Sequence, residues 1–148
     1  MPGFQPDATT INNLNSFLNM LINKPGGITI TQTMISASGK TSLSLYEIAT
    51  LEKNNRTVYT SGTQLGLYLL FTDAGYSDPN VLGVAYRNTS VCMMGKTIYD
   101  NSGGIGQASR IKLSSTVSAH DLAPLLGLVD CVRALTTTHT DAAPDTHS

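Results

Sequence analysis

Residues 115–130 read STVSAHDLAPLLGLVD, and the interpretation of the whole chain starts from this stretch. Within it, His120, Gly127 and Asp130 are separated by seven and then by three positions. A histidine on a helix, a glycine that lets the chain turn sharply, and a further polar side chain beyond the turn can converge on one metal ion. The spacing therefore predicts a helix with a potential metal ligand near its end.

The same spacing is that of the zinc-binding motif HExxHxxGxx followed by His or Asp. In a helix, the two histidines of HExxH lie one turn apart on one face and bind the same zinc, while the glutamate activates the zinc-bound water. Here Asp121 stands at the glutamate position and Pro124 at the second histidine position. Asp121 is therefore the candidate general base, and His120 and Asp130 are candidate zinc ligands.

Pro124 changes what this stretch is expected to form. Proline has no backbone N–H to donate to the His120 carbonyl, and its ring clashes there, at a cost of about 3 kcal/mol inside a helix. We expect the helix to kink or restart, with Asp121 as the N-cap and Pro124 in the first turn. Leu125 and Leu126 would then face the core. An aspartate is also one methylene shorter than the glutamate that it replaces.

Composition places the chain among ordinary globular proteins. Its 148 residues predict one domain, and 41% are hydrophobic. The net charge of -1 offers no basic surface, so we expect no nucleic-acid partner. The sequence contains no run of about 18 apolar residues, so we expect no transmembrane helix. Cys92 and Cys131 form no CxxC motif and are predicted to be buried free thiols, with a disulfide between them left open.

Hydrophobic periodicity predicts an α+β domain. We expect helices over residues 8–22 and 45–55, since the first has apolar positions on one face and the second begins with a capping box at Ser44 and Glu47. Alternation and apolar runs predict four strands, at residues 28–33, 64–72, 81–86 and 91–94. The strand at residues 64–72 is predicted to be central and buried on both faces. Residues 101–106 are predicted to form a flexible loop.

Four further blocks of sequence carry a resemblance to a known family. They are residues 2–7 (PGFQPD), 52–57 (EKNNRT), 81–90 (VLGVAYRNTS) and 95–107 (GKTIYDNSGGIGQ). Together with the His120 stretch, they make most of the chain resemble bacterial metzincin-like zinc metallopeptidases, in particular the exported, membrane-associated kind of Bacteroidetes. In such relatives the last block leads into the zinc-binding helix, which is followed by a His-rich segment and a Met-containing turn.

This resemblance implies a metzincin-like fold, a twisted mixed sheet packed by helices. Residues 1–135 would form a single metallopeptidase-like catalytic domain that stops before the Met-containing turn, and residues 136–148 a loose polar tail. His139 and His147 match histidines of the segment after the helix. The implied zinc ligands are therefore His120, Asp130 and His139, and the implied partner is a peptide or protein.

The resemblance also implies an extracytoplasmic location. Residues 1–4 (MPGF) have neither the charged nor the apolar region of a secretory signal, so an exported parent would carry its signal ahead of them.

Three functional hypotheses follow from the altered motif. The first is a metzincin-like domain with a degenerate site that has lost or strongly reduced peptide hydrolysis, and that still binds peptides along an edge strand. The second is an active zinc-dependent peptidase with an unusual ligand set drawn from His120, Asp130, His139 and His147. The third is a non-enzymatic peptide-binding or structural module, in which His120 is an ordinary residue near a helix end.

Overall fold

The computed structural model describes residues 1–86 and 89–128, and the helices and strands within them form a mixed α and β structure. In chain order the elements are α1 (Ala8–Leu21), β1 (Ser42–Leu43), α2 (Leu45–Asn55), β2 (Tyr68–Phe71), β3 (Gly75–Tyr76), β4 (Gly83–Tyr86), β5 (Ser90–Met93), α3 (Gly95–Asp100) and α4 (Arg110–Leu125). The predicted α+β class is confirmed.

A three-stranded mixed sheet lies at the centre of the fold. β5 is its middle strand and pairs in parallel with β2 and antiparallel with β4. Cys92 of β5 consequently lies opposite both Leu70 of β2 and Val84 of β4. All four residues of β5 are buried. A separate, very short parallel pair joins β1 to β3.

The two faces of β5 divide the hydrophobic core into two clusters, because successive strand residues point to opposite sides of a sheet. On one face, Val91 and Met93 pack with Leu14 and Leu18 of α1 and with Leu122 of α4. The cluster on the other face consists of Leu43, Ile48, Leu70, Ala74, Tyr86, Cys92 and Met94. Helices α1 and α4 therefore cover one side of the sheet, and α2 covers the other.

Both helices predicted in the first third of the chain are confirmed. α1 buries Leu14 and Leu18 and ends before Pro25. α2 begins with the predicted capping box, in which the Glu47 N–H donates to Ser44 Oγ at 3.3 Å. The Ser44 N–H donates in return to the Glu47 carboxylate at 2.8 Å. These two bonds satisfy the backbone N–H groups of Ser44 and Glu47, which have no partner within the first turn of the helix.

The strand predictions are confirmed only in part. β4 and β5 lie where residues 81–86 and 91–94 were predicted to be extended. The prediction of a central strand over residues 64–72 is wrong, because β2 is short and stands at the edge of the sheet. The apolar run of β2 is explained by the helices that pack on both faces of the sheet. Leu70 belongs to the cluster on the α2 side, and Leu69 packs against the cluster on the side of α1 and α4. Packing on two faces does not require a neighbouring strand on each side.

The predicted strand at residues 28–33 is also wrong, because these residues pair with no strand in the described part of the chain. Their alternation buries Ile28 partly against the core while Thr29 and Thr31 stay exposed. One apolar side facing a core is enough to explain such a pattern without a ladder. α3, which directly follows β5, was not predicted from the sequence.

A buried guanidinium, that of Arg56, ties α2 to the loop that follows it. Arg56 Nη1 donates to Glu52 Oε1 at 2.7 Å, and both side chains are almost fully buried. Nε and Nη2 donate to the carbonyl oxygens of Val58 and Gly66, at 2.8 and 2.9 Å. The ring of Tyr59 lies 4.7 Å from the guanidinium carbon. Arg56 therefore holds both arms of the loop against the helix.

Hydrogen bonds keep the Glu52 carboxylate ionised in this setting. Burial by itself would raise the pKa of Glu52, but hydrogen bonds donated by Ser90 and Arg56 outweigh burial and lower it. Burial, together with the nearby Glu52 charge, raises the pKa of Tyr68 to about 12. The cluster is therefore a charged pair enclosed by neutral hydroxyl groups.

Candidate functional site

The helix that carries the altered motif is continuous. α4 runs from Arg110 to Leu125, and Ser109 caps its start by accepting the Lys112 N–H at 3.2 Å. Pro124 lies inside it. The predicted restart of the helix with Asp121 as N-cap is therefore wrong.

Pro124 lies near the C-terminal end of α4, and only Leu125 follows it within the helix. The missing N–H removes only one helical hydrogen bond, to the His120 carbonyl. The Leu126 N–H then donates to the Leu122 carbonyl at 3.2 Å, which continues the helical pattern past the proline. Leu122 is buried in the core, and a restart would have rotated this side chain away from it.

Gly127 ends the helix with a sharp turn, as its place in the motif predicts. Its φ of 72° is left-handed, a conformation that glycine adopts without steric cost. The Gly127 N–H donates to the Pro124 carbonyl at 3.1 Å, and the Leu128 N–H donates to the Ala123 carbonyl at 3.0 Å. These two bonds are the Schellman pattern of a helix C-terminus. Gly127 therefore has a sufficient structural role whether or not a metal is bound.

Substituting Gly127 with alanine should lower the free energy of unfolding by about 1 kcal/mol, because an L-residue pays for the left-handed conformation. Urea unfolding followed by circular dichroism measures the change. Gly26→Ala is the matched control, since Gly26 has no left-handed φ and open space around its Cα. Equal losses for the two variants would contradict the capping role of Gly127.

His120 and Asp121 point in different directions from the end of α4. The His120 side chain is 83% exposed, whereas that of Asp121 is 13% exposed. Asp121 Oδ1 lies 3.0 Å from His120 Nδ1, so the two side chains still touch. Asp121 Oδ2 is buried and has no hydrogen-bond partner among the described residues. Burial raises the pKa of Asp121, and the contact with His120 opposes that shift only in part.

A glycine on the edge strand β4 provides the space for the Asp121 carboxylate. A Cβ placed on Gly83 would lie 2.0 Å from Asp121 Oδ2 and 3.0 Å from Val117 Cγ1. Asp121 thus packs at the junction of α4 and β4, against the strand backbone. No functional residue was predicted at Gly83, although an isolated glycine inside an apolar strand is a known sign of close approach.

The structure brings together only two of the predicted site residues, His120 and Asp121. The other predicted zinc ligands, Asp130 and His139, lie outside the described residues, as do His147 and Cys131. Among residues 1–86 and 89–128, no group of three His, Cys, Asp or Glu side chains is placed to hold a metal ion.

The chemistry available to this pair is limited. The contact of Asp121 with His120 Nδ1 can fix the imidazole tautomer and leave Nε2 for one proton or one ligand. Cys92, by contrast, is a buried free thiol as predicted, and burial raises the pKa of its thiol.

An open groove of about 230 Å³ lies elsewhere, beside α4. Its lining consists of Pro79, Asn80, Leu82, Asn101 and Leu113. No acid, base or nucleophile is among these side chains, so the groove offers no group for covalent or acid–base catalysis.

Comparison with known proteins identifies no relative. No protein-family model matches the chain, and no curated protein and no solved structure is significantly similar to it. Among the helices of the described residues, none is both long and apolar enough to cross a membrane.

Proposed function

We propose that this chain is a metzincin-like zinc metallopeptidase domain whose altered motif has lost or strongly reduced peptide hydrolysis. Three features support the ancestry. His120 lies on a helix packed against the sheet, a sharp glycine turn follows at the offset of the motif, and β4 is an antiparallel edge strand in contact with that helix. From the sequence resemblance we also propose an extracytoplasmic location and a peptide or protein partner.

The packing of Asp121 carries the proposal that hydrolysis is lost. A general base must reach the metal-bound water, directly or nearly so. Asp121 instead directs one carboxylate oxygen into the interface between α4 and Gly83 of β4. A shorter acid that faces the sheet is poorly placed for the role of the missing glutamate.

The residues at the motif positions do not fit a zinc ion held in the usual way. A catalytic zinc normally has three protein ligands and a water. Pro124 has no atom that can bind the metal, and Asp121 contacts His120 Nδ1 through Oδ1 while its Oδ2 is buried against Gly83. Any zinc at His120, Asp130 and His139 should therefore be weakly held.

The alternative to lost hydrolysis is an active zinc peptidase with an unusual ligand set. Elemental analysis of protein purified without chelators, together with a cleavage assay, distinguishes the two. We expect much less than one equivalent of zinc and no chelator-sensitive cleavage of casein. Stoichiometric zinc together with cleavage that a chelator abolishes would show that hydrolysis is retained, and the proposal would be wrong.

Restoring the motif tests the ancestry separately. The double variant Asp121→Glu/Pro124→His places two imidazoles one turn apart on one face of α4, where both can reach one zinc. We expect this variant to take up zinc, measured by calorimetry, whereas Asp121→Glu alone should not. Failure of the double variant to bind zinc while it stays folded would count against an inherited zinc site.

Peptide binding without hydrolysis is the second candidate function. β4 pairs with β5 on one side only, within the part of the chain that the structure describes. An extended peptide can add to such an edge through main-chain hydrogen bonds. Peptide binding by protein that contains no zinc would favour this module over an enzyme.

A further inference from the structure

Residues 28–34 (ITITQTM) have a composition that favours a β-strand, yet they belong to no strand of the described chain. Five of its seven residues are β-branched, and it contains no proline and no charge. From residue 28 to residue 40 the backbone makes neither a turn nor a bend. We call residues 28–34 the ITITQTM segment.

The backbone of this segment has no partner within the described residues. None of the N–H and C=O groups of residues 28–37 forms a hydrogen bond with another described group. Ile28 and Ile35 fasten the two ends to the two hydrophobic clusters. Farther along, the Ser38 N–H donates to the Asp73 carboxylate at 2.9 Å. The segment is thus fixed at both ends and open between them.

The side chains between these anchors leave the backbone accessible. Thr29, Thr31 and Thr33 are exposed, and Met34 is 56% exposed. Natural proteins usually protect an open strand with lysine, proline or a bulge, which prevent pairing with another chain. Here the nearest charged residues in sequence are Lys24 and Lys40, both outside the segment. The ligand that such a backbone recognises is another extended backbone.

We propose that the ITITQTM segment pairs antiparallel with the same segment of a second copy of this chain, about a two-fold axis at Thr31. In this register five of the seven residues lie opposite a residue of the same kind, and Ile30 lies opposite Gln32. Thr29 then lies opposite Thr33 on the exposed side, and Ile28 lies opposite Met34 on the other. Threonine pairs and apolar pairs directly opposite each other stabilise antiparallel strands, and no like charges meet. A two-fold pairing uses the same surface on both copies.

Sedimentation velocity over a range of concentrations tests the proposal with the full chain. We expect a dimer for the wild-type chain. Thr31→Lys should raise the dimer dissociation constant by roughly tenfold or more, because the two lysines lie opposite each other across the axis. Thr116→Lys is the matched control, since Thr116 is exposed on α4, and it should leave the dimer unchanged.

A cross-linking variant keeps the test independent of the folding of Thr31→Lys. Thr31→Cys should form a covalent dimer under mild oxidation, beyond any dimer that the oxidised wild-type chain forms, and Thr116→Cys should not. A monomeric wild-type chain overturns the proposal, including the case in which the monomer captures an extended peptide of another protein. A dimer that withstands Thr31→Lys and gives no Thr31→Cys cross-link overturns it as well.

Discussion

Replacing Arg56 with methionine is expected to lower the free energy of unfolding by about 3–5 kcal/mol, the cost of removing one partner of a buried ion pair. The substitution leaves the Glu52 carboxylate in the interior without the 2.7 Å hydrogen bond from Nη1. It also takes away the donors that reach the carbonyl oxygens of Val58 and Gly66. Urea unfolding monitored by circular dichroism gives the loss directly.

Two further variants show where this loss comes from. Lys53→Met makes the same change of charge on the exposed side of α2 and should alter stability by less than about 0.5 kcal/mol. Adding Glu52→Leu to Arg56→Met removes the uncompensated charge and should recover part of the stability. A similar loss for Lys53→Met, or no recovery in the double variant, would show that the buried pair does not dominate.

The loop after α2 should respond to Arg56→Met more than the rest of the fold. Gly66 packs so closely on this loop that an added Cβ would lie 2.6 Å from the Tyr59 carbonyl carbon. That close approach is held by the Arg56 bonds to both arms of the loop. Hydrogen exchange should therefore rise first in residues 57–67, because the Arg56 bonds join this loop to α2.

Local signals predicted α1 and α2 because the causes of these two helices are close in sequence. The capping box of α2 needs only Ser44 and Glu47, and the end of α1 needs only the apolar face and Pro25. The order of strands could not be obtained in this way, since which strand lies between two others depends on residues far apart in the chain. The apolar run before Thr72 correctly predicted that β2 is buried, but it wrongly predicted that β2 lies in the middle of the sheet.

The candidate site shows the same division. The turn at Gly127 follows from glycine chemistry, whereas the contact between His120 and Asp121 could not be predicted, because adjacent side chains on a helix do not normally face each other. The loss of the hydrogen bond to the His120 carbonyl predicted a break at Pro124, whereas α4 continues through this residue to Leu125. Nothing local connects Asp121 to Gly83, which is 38 positions earlier, so only the packing of α4 on β4 reveals that contact.

Substituting Gly83 with alanine is expected to destabilise the chain by about 1–3 kcal/mol, because the new methyl group overlaps the Asp121 carboxylate. Asp121→Ala should have a small effect, since it removes a buried oxygen that has no partner among the described residues and a charge that burial disfavours. In the double variant the methyl group occupies the space that the carboxylate leaves.

The double variant Gly83→Ala/Asp121→Ala should therefore be close in stability to Asp121→Ala alone. The loss in the double variant should therefore be smaller than the sum of the two single losses by at least about 1 kcal/mol, which is the coupling free energy between two positions in contact. Urea unfolding of all four proteins measures the coupling, and additive losses would mean that Asp121 does not pack on β4. Because an acid that serves a metal-bound water must face the open side of α4, strong coupling to Gly83 is also the clearest physical sign that the Asp121 carboxylate packs on the sheet and does not act as a base.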